Sequence, residues 1–191
     1  EDIALMRSIP GMTILNPADD TEARKAVFAA AALDGPVYLR LGRLAVPVLF
    51  DKDYPFAVGK GVQLVAGNDV TIVATGLLVA EALIAAEQLK NEGISARVID
   101  MHTIKPLDTE LVLKAAKETG AIVTSEEANV MGGLGAAVSE FLSETYPTPV
   151  VRHGVNDEFG RSGKAPAVLE AYGLTPEVMA EKAKKAIAMK R

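Results

Sequence analysis

Hydrophobic and polar positions along the chain switch between the two-residue period of strands and the longer period of helices. Apolar residues recur at helical spacing from Val79 to Leu89, which predicts an amphipathic helix that ends near Gly93. Asp19 and Glu22 have the spacing of a capping box and predict the start of an Ala-rich helix. Short apolar runs typical of strands separate the helices, at residues 12–15, 37–41, 62–66, 70–74, 96–99, 121–124 and 149–151.

The alternation of strands with helices predicts an α/β fold, a three-layer α/β/α sandwich around a mixed, mostly parallel sheet. The first strand–helix–strand unit requires parallel pairing with a crossover. An antiparallel component is predicted for residues 62–66 and 70–74, because the Gly-Asn-Asp turn between them is a hairpin signature. Thr175 followed by Pro176 is typical of a capped helix start and predicts a terminal helix.

One stretch of the sequence is typical of a linker between domains. Pro47 and Pro55 enclose a charged segment, so the predicted division is 1–46, a linker at 47–55, and 56–191. The first residues already have a helical pattern without a preceding cap. We therefore expect the chain to be a fragment of a longer protein.

Composition excludes several classes of function. The 191 residues include no cysteine, which excludes disulfides, thiolate metal sites and cysteine nucleophiles. A formal net charge of −5 provides no basic field for a nucleic-acid backbone. No apolar run approaches the roughly 20 residues that a membrane span needs. We expect a cytoplasmic location, with neither a nucleic acid nor a membrane as partner.

Two turns have the residue types of an anion site. The Gly-Gly-Leu-Gly turn at residues 132–135 follows a strand and opens a helix, where free N–H groups can meet a phosphate. It lacks the full dinucleotide fingerprint and the Walker lysine, so close packing of helix on strand is the preferred interpretation. The Arg-Ser-Gly-Lys turn at residues 161–164 carries two cations, but a solvated loop before a helix explains it equally well.

Four acidic or imidazole side chains are candidates for acid–base chemistry. Glu126 and Glu127 follow a strand, yet adjacent residues of an extended segment point in opposite directions and cannot easily share a substrate. His102 and His153 are far apart in the sequence and fit no zinc motif. Structural or rim roles are preferred for the two glutamates, and a packing or hydrogen-bonded role is preferred for His102.

Two arginines follow the strand at residues 37–41. Arg40 and Arg43 could each bind a phosphate in bidentate fashion, because the planar guanidinium matches that geometry. A surface ion pair is an equally good interpretation from the sequence alone. The residues by themselves thus indicate an α/β protein with several anion-friendly turns and no complete catalytic constellation.

Several motifs, in order across nearly the whole chain, resemble transketolases. They are Glu1 to Pro10 with Pro17-Ala18-Asp19, then Thr103 to Asp108, Met131 to Gly135, and Arg161-Ser162-Gly163-Lys164. The chain is especially similar to the separate carboxy-terminal subunit of a split bacterial or archaeal transketolase. The resemblance implies a transketolase carboxy-terminal domain preceded by the end of a thiamine-pyrimidine-binding domain.

The resemblance also implies a reaction and its partners. Transketolases move a two-carbon ketol unit between sugar phosphates in the pentose phosphate pathway, using thiamine diphosphate with Mg²⁺ or Ca²⁺. The family's catalytic, cofactor and metal residues lie outside the matched motifs, so none is expected in this chain. A complementary amino-terminal portion or subunit, in a homodimer-type assembly, is the implied partner. The fragment is expected to be inactive alone and to bind no cofactor.

The family implies one substrate-binding residue in this chain. Arg43 best matches an arginine that reaches the substrate phosphate, and Arg40 is the runner-up because a short loop can shift the alignment. Two other thiamine enzymes remain alternatives, 1-deoxyxylulose-5-phosphate synthase and a 2-oxoacid dehydrogenase β subunit. The turn at residues 161–164 favours transketolase over the synthases. A non-catalytic structural or dimerisation module is the alternative from a different class.

Overall fold

The computed structural model describes residues 1–190. The helices are α1 (Asp2–Arg7), α2 (Asp20–Ala32), α3 (Leu78–Asn91), α4 (Thr109–Thr119), α5 (Leu134–Thr145), α6 (Ala165–Ala171) and α7 (Pro176–Ala188). The strands are β1 (Thr13–Leu15), β2 (Val37–Leu39), β3 (Val62–Val65), β4 (Val70–Ala74), β5 (Ala96–Asp100), β6 (Thr103–Lys105), β7 (Ile122–Asn129) and β8 (Val150–Val155). None of the described helices is long and apolar enough to cross a membrane.

A five-stranded sheet forms the centre of the larger unit, in the order β3-β5-β4-β7-β8. Strands β5, β4, β7 and β8 are parallel neighbours, whereas β3 runs antiparallel to β5. Helices α3 and α7 bury their apolar stripes against one face, and α4 and α5 cover the other. The three-layer α/β/α sandwich with a mixed, mostly parallel sheet is therefore confirmed.

The predicted hairpin between β3 and β4 is wrong. Strand β5 lies between the two strands, because the turn at residues 67–69 carries the chain across the start of β5. The backbone N–H groups of Asn68 and Asp69 both donate to the carbonyl of Ser95, and the Asp69 carboxylate accepts from the N–H of Ser95 at 2.7 Å. A side chain at Gly67 would lie 2.3 Å from the backbone of Ala96, so this glycine permits the crossing.

A second, three-stranded sheet has the order β2-β1-β6. Strands β1 and β2 are parallel, as the crossover predicts, while β6 pairs antiparallel with β1 and was not predicted. The Lys105 ammonium at the end of β6 donates to the carbonyls of Arg7 and Ile9. The predicted division at residues 47–55 would thus assign β6 and its partner β1 to different domains.

Side-chain caps fix three helix starts at the predicted residues. Asp19 accepts from the N–H of Glu22 at the start of α2, and Asp108 accepts from Leu111 at the start of α4. Thr175 caps α7, with Pro176 at its first position. Each cap satisfies an N–H group that the first helical turn leaves without a partner.

Candidate functional site

Arg40 is held by internal partners at the carboxyl end of β2. Its Nε donates to Oδ2 of Asp2 at 2.7 Å, and Nη2 donates to the backbone carbonyl of Glu127 at 2.8 Å. The Glu127 carboxylate lies 3.5 Å from Nη1. Burial opposes the charge of Arg40, but these acidic partners outweigh it and raise the pKa. Arg40 therefore forms the ion pair that was one of its two predicted roles.

Arg43, three residues further along, is exposed. Within residues 1–190 its guanidinium has no hydrogen bond or salt bridge, in contrast to Arg40. It lines a recess of about 450 Å³ together with Asp2, Tyr38 and Glu127. Among the described residues that line this recess, Arg43 is thus the cation without an internal partner.

A second cleft, of about 350 Å³, adjoins this recess and shares Arg40 and Glu127 with it. Its other walls are the loop at residues 16–20 and the segment at 41–46. Both walls follow the carboxyl ends of the parallel strands β1 and β2, where the backbone N–H of Arg40 donates to the β1 carbonyl of Leu15. Open parallel sheets generally bind ligands at this edge.

The glycine-rich turn at residues 132–135 holds a carboxylate of the protein itself. The fully buried Glu126 accepts from the N–H groups of Leu134 and Gly135 at 2.7 and 2.8 Å. A Cβ on Gly133 would lie 1.9 Å from this carboxylate. Close packing is therefore the correct interpretation, since Glu126 takes the place that a phosphate would need.

The crevice at the carboxyl ends of β4 and β7 is also filled. The sheet order reverses there, since β5 and β7 follow β4 on opposite sides. The carbonyl of Asn16, in the loop after β1, accepts from the Thr75 hydroxyl and the Gly76 N–H, both at 3.2 Å. Sheets of this kind usually bind ligands in this crevice. Here the crevice of the larger unit holds a loop of the smaller unit instead.

Both histidines are buried in structural positions. His153 bonds the Ser125 hydroxyl at 2.8 Å through Nδ1 and the Gly173 carbonyl at 2.7 Å through Nε2. His102 lies next to the Thr103 hydroxyl and stacks on Phe56 with ring centroids 4.3 Å apart. Burial lowers the pKa of His102 to about 4, so its ring is neutral near pH 7.

The turn at residues 161–164 is an exposed loop before α6. Arg161 pairs with Glu158 at 2.9 Å and lies over the ring of Tyr172, 5.1 Å from its centroid. The predicted solvated loop fits this arrangement. Within residues 1–190 no group of three histidine, aspartate or glutamate side chains could hold a metal ion.

Sequence reasoning missed the two partners of Arg40. Asp2 lies in α1, and the Glu127 carbonyl lies on β7 of the larger sheet, so no local pattern connects either with β2. It also missed a buried group of carboxyls around Asp100. The only signal there is an aspartate that directly follows the apolar run Val98-Ile99.

The comparisons with known proteins agree with this architecture. The family model described as transketolase, C-terminal domain, matches residues 59–179, and that for the transketolase pyrimidine binding domain matches residues 1–48. The chain therefore belongs to the transketolase family.

Relatives with curated descriptions include split transketolases. A 6-deoxy-6-sulfo-D-fructose transketolase subunit of a Clostridium species is 49% identical over 92% of this chain, and a putative transketolase C-terminal section of Methanocaldococcus jannaschii is 43% identical over 95%. The chain covers 54% and 58% of the lengths of these proteins. A 1-deoxy-D-xylulose-5-phosphate synthase of Symbiobacterium thermophilum is 40% identical over 95% of the chain, which covers 28% of that enzyme.

Among solved structures, a split gene transketolase in an inactive β4 tetramer superposes with a TM-score of 0.98 at 52% identity. The match covers 100% of this chain and 63% of the solved one. Transketolase from Pichia stipitis in complex with sedoheptulose 7-phosphate superposes with a TM-score of 0.72 at 25% identity, over 97% of this chain and 26% of that one. The fold is that of the carboxy-terminal portion of transketolases.

Proposed function

We propose that this chain is the carboxy-terminal portion of an enzyme that moves a two-carbon ketol unit between sugar phosphates. The observation that carries this proposal is the guanidinium of Arg43, which has no partner within residues 1–190 and lies beside the carboxyl ends of β1 and β2. A complementary amino-terminal portion or subunit, in a homodimer-type assembly, supplies the rest of the site. The split transketolase relatives support such a partner.

Thiamine diphosphate and a divalent metal are the cofactors proposed for the assembly. The described residues of this chain do not fit either group, because Glu126 fills the glycine-rich turn and no metal-binding group of side chains is present among them. The cofactor, when bound, supplies the nucleophile that accepts the ketol unit. We place its binding residues on the complementary portion, and no catalytic residue on this chain.

Arg43 is the residue proposed to bind the substrate phosphate. A guanidinium can donate two parallel hydrogen bonds to a phosphate, and Arg43 has no internal partner within the described chain to compete for them. Arg40, the runner-up, already donates hydrogen bonds to Asp2 and Glu127. In this proposal Arg40 stabilises the wall of the recess, and Arg43 contacts the ligand.

The decisive experiment reconstitutes the assembly with the complementary subunit, thiamine diphosphate and Mg²⁺, and measures ketol transfer from xylulose 5-phosphate. Arg43→Ala should raise KM for phosphorylated sugars about tenfold or more, since a bidentate charged contact contributes about 1.5–3 kcal/mol. KM for unphosphorylated sugars should change little. Arg161→Ala, which removes an exposed arginine far along the chain, is the matched control. Equal effects of Arg43→Ala on both sugar classes would remove this residue from the site.

One specific observation favours a second candidate. The synthase relative is nearly as similar as the transketolase relatives, so 1-deoxyxylulose-5-phosphate synthase is the alternative enzyme. Synthases use pyruvate as the donor. Activity on pyruvate without any transfer from xylulose 5-phosphate would select it over transketolase. By itself, the chain is proposed to be an inactive structural module, and the inactive β4 assembly of a split relative supports this.

A further inference from the structure

Three carboxyl groups are buried together where the two sheets meet. Asp19 and Glu22 belong to the start of α2, and Asp100 ends β5 of the larger sheet. Their exposed fractions are 3%, 0% and 0%. None of the described lysines, arginines or histidines makes a salt bridge with any of the three. Buried charges without a counter-ion are costly, so this group requires an explanation.

Asp19 accepts hydrogen bonds at both oxygens of its carboxyl group. Its Oδ1 accepts from the N–H of Glu22 at 2.8 Å. Its Oδ2 accepts from the N–H groups of Leu49 and Phe50, at 2.7 and 2.9 Å. These bonds attach the linker to the start of α2.

Glu22 is likewise an acceptor at both oxygens. Oε2 accepts from the N–H of Ala18 at 2.7 Å, and Oε1 accepts from the hydroxyl of Tyr54 at 2.8 Å. Hydrogen bonds donated to both oxygens favour the ionised form of Glu22.

Asp100 differs from the other two because no N–H or hydroxyl group within residues 1–190 donates to it. The carboxyl of Glu22 is its side-chain hydrogen-bond neighbour among the described residues. Two carboxylates offer each other acceptors only, so a hydrogen bond between them requires one proton. Since Glu22 is already committed as an acceptor, the proton belongs on Asp100.

We propose that Asp100 is a neutral carboxylic acid in the folded protein and donates its hydrogen bond to the Glu22 carboxylate. The pair then joins β5 to α2, and through Tyr54 and Ala18 it fixes both the linker and the loop that precedes α2. That loop forms one wall of the cleft beside Arg40. Asp100 therefore acts as a positioning residue for this cleft, and that role rests on the proposed function. The protonation of Asp100 is independent of the proposed function.

The electrostatic surroundings agree with the geometry. Burial, followed by the charge of Glu22 and its hydrogen bond, raises the pKa of Asp100 well above its usual range, and Asp19 adds to the effect. Burial also raises the pKa of Glu22. The other titratable group that faces the pair is Tyr54 of the linker, whose pKa is raised mainly by burial. His102, two residues beyond Asp100, is neutral and supplies no compensating charge.

Protonation of Asp100 predicts the direction in which the stability of the fold changes with pH. A carboxyl whose pKa is raised by folding stabilises the fold most at low pH, and this contribution is lost as pH rises from the usual carboxyl pKa towards the folded value. Folding then takes up about one proton, so this group makes the unfolding constant increase about tenfold per pH unit in that window.

Infrared spectroscopy of the 191-residue chain at pH 7 tests the protonation directly and needs no substrate. We expect the C=O stretch of a protonated carboxyl in the wild-type protein and its loss in Asp100→Asn. Absence of the band from the folded wild type would overturn the proposal, even if no variant folded. A failed ketol-transfer assay would leave this result unchanged, so the two proposals can fail separately.

Thermal unfolding between pH 5 and pH 7 provides the second readout. The amide of Asp100→Asn can still donate to Glu22 and does not titrate, so the Tm of this variant should exceed that of the wild type by a margin that grows from pH 5 to pH 7. Asp100→Ala lacks the donor and should have a lower Tm than Asp100→Asn at every pH. Glu22→Gln should also lower Tm, because its amide N–H₂ would face Tyr54 or Ala18. An unchanged pH dependence in Asp100→Asn would contradict the proposal.

Discussion

Adjacent residues of β7 lie in very different electrostatic surroundings. Glu126 points into the protein and accepts two hydrogen bonds from the start of α5, while Glu127 points to the recess and faces Arg40. The period of two along a strand separates them, as the sequence predicts. What each side chain meets depends on elements far away in the chain, so only their opposite directions could be predicted.

His102 should make the protein sensitive to acid. Burial lowers its pKa from 6.5 to about 4, so the folded state keeps a neutral ring while the unfolded chain takes up a proton below about pH 6.5. The stability that depends on this ring is therefore complete above pH 6.5 and is lost as pH falls towards 4. The difference in pKa corresponds to about 3 kcal/mol. Urea unfolding at a series of pH values measures it.

His102→Gln provides the comparison, because glutamine has no charge in this range. Its free energy of unfolding should depend less steeply on pH between 6.5 and 4 than that of the wild type. The other histidine, His153, is unchanged in this comparison and its contribution cancels. Parallel pH profiles for the two proteins would show that His102 does not titrate as stated.

At the level of elements, Gly67 has an unusually specific role. The strand order requires the turn after β3 to pass the start of β5, and a Cβ at Gly67 would lie 2.3 Å from backbone atoms of Ala96 and Arg97. We expect Gly67→Ala to lower the free energy of unfolding by about 3 kcal/mol or more, because backbone on both sides must move. Chemical denaturation of the variant measures this loss.

Gly160→Ala is the matched control for that substitution. A Cβ at Gly160 meets nothing within 4 Å, so alanine there should change the free energy of unfolding by less than about 1 kcal/mol. If both alanine variants are equally stable, the crossing of the turn over β5 is not the constraint described.

The helices and strands follow from local sequence, but the pairing of the strands with one another does not. The caps at Asp19, Asp108 and Thr175 lie at the predicted positions, because each acts within one turn of its helix. The hairpin prediction from the Gly-Asn-Asp turn also uses only local sequence. It is wrong because β3 pairs with β5, which is distant in the sequence, and not with β4. Strand β6 is too short to show any period, so nothing in its sequence indicates that it pairs with β1.

For the molecule as a whole, we expect the two sheets to open at different rates. The smaller sheet has strands of three residues, and its edge strand β2 is only half-buried. The larger sheet has a fully buried centre in β4 and β5. Amide exchange should therefore be faster for residues before Pro47 than for those after Pro55.

Mass spectrometry of peptides from the two regions can measure this difference, with the half-buried edge strand β3 as an internal reference within the larger sheet. Faster exchange in β4 and β5 than in β1 would count against the division of the chain at the linker. The family models end and begin near the same stretch, at residues 48 and 59.

The candidate site could be predicted only in part for a related reason. Arg40 and Arg43 stand out in the sequence as cations after a strand, but their different roles depend on Asp2 and Glu127, which the fold brings to Arg40. We propose that the cofactor and catalytic groups lie on another portion of the assembly. No pattern within this chain can specify their positions.

The pairing of β6 with β1 has a consequence for biosynthesis. A ribosome releases a chain from its amino terminus, and domains generally fold in that order. Here β1 and β2 are synthesised well before β6, so this three-stranded sheet cannot be completed until residues 103–105 have left the ribosome. Until then β1 has a free edge, at the stage when a nascent chain is most exposed to wrong partners.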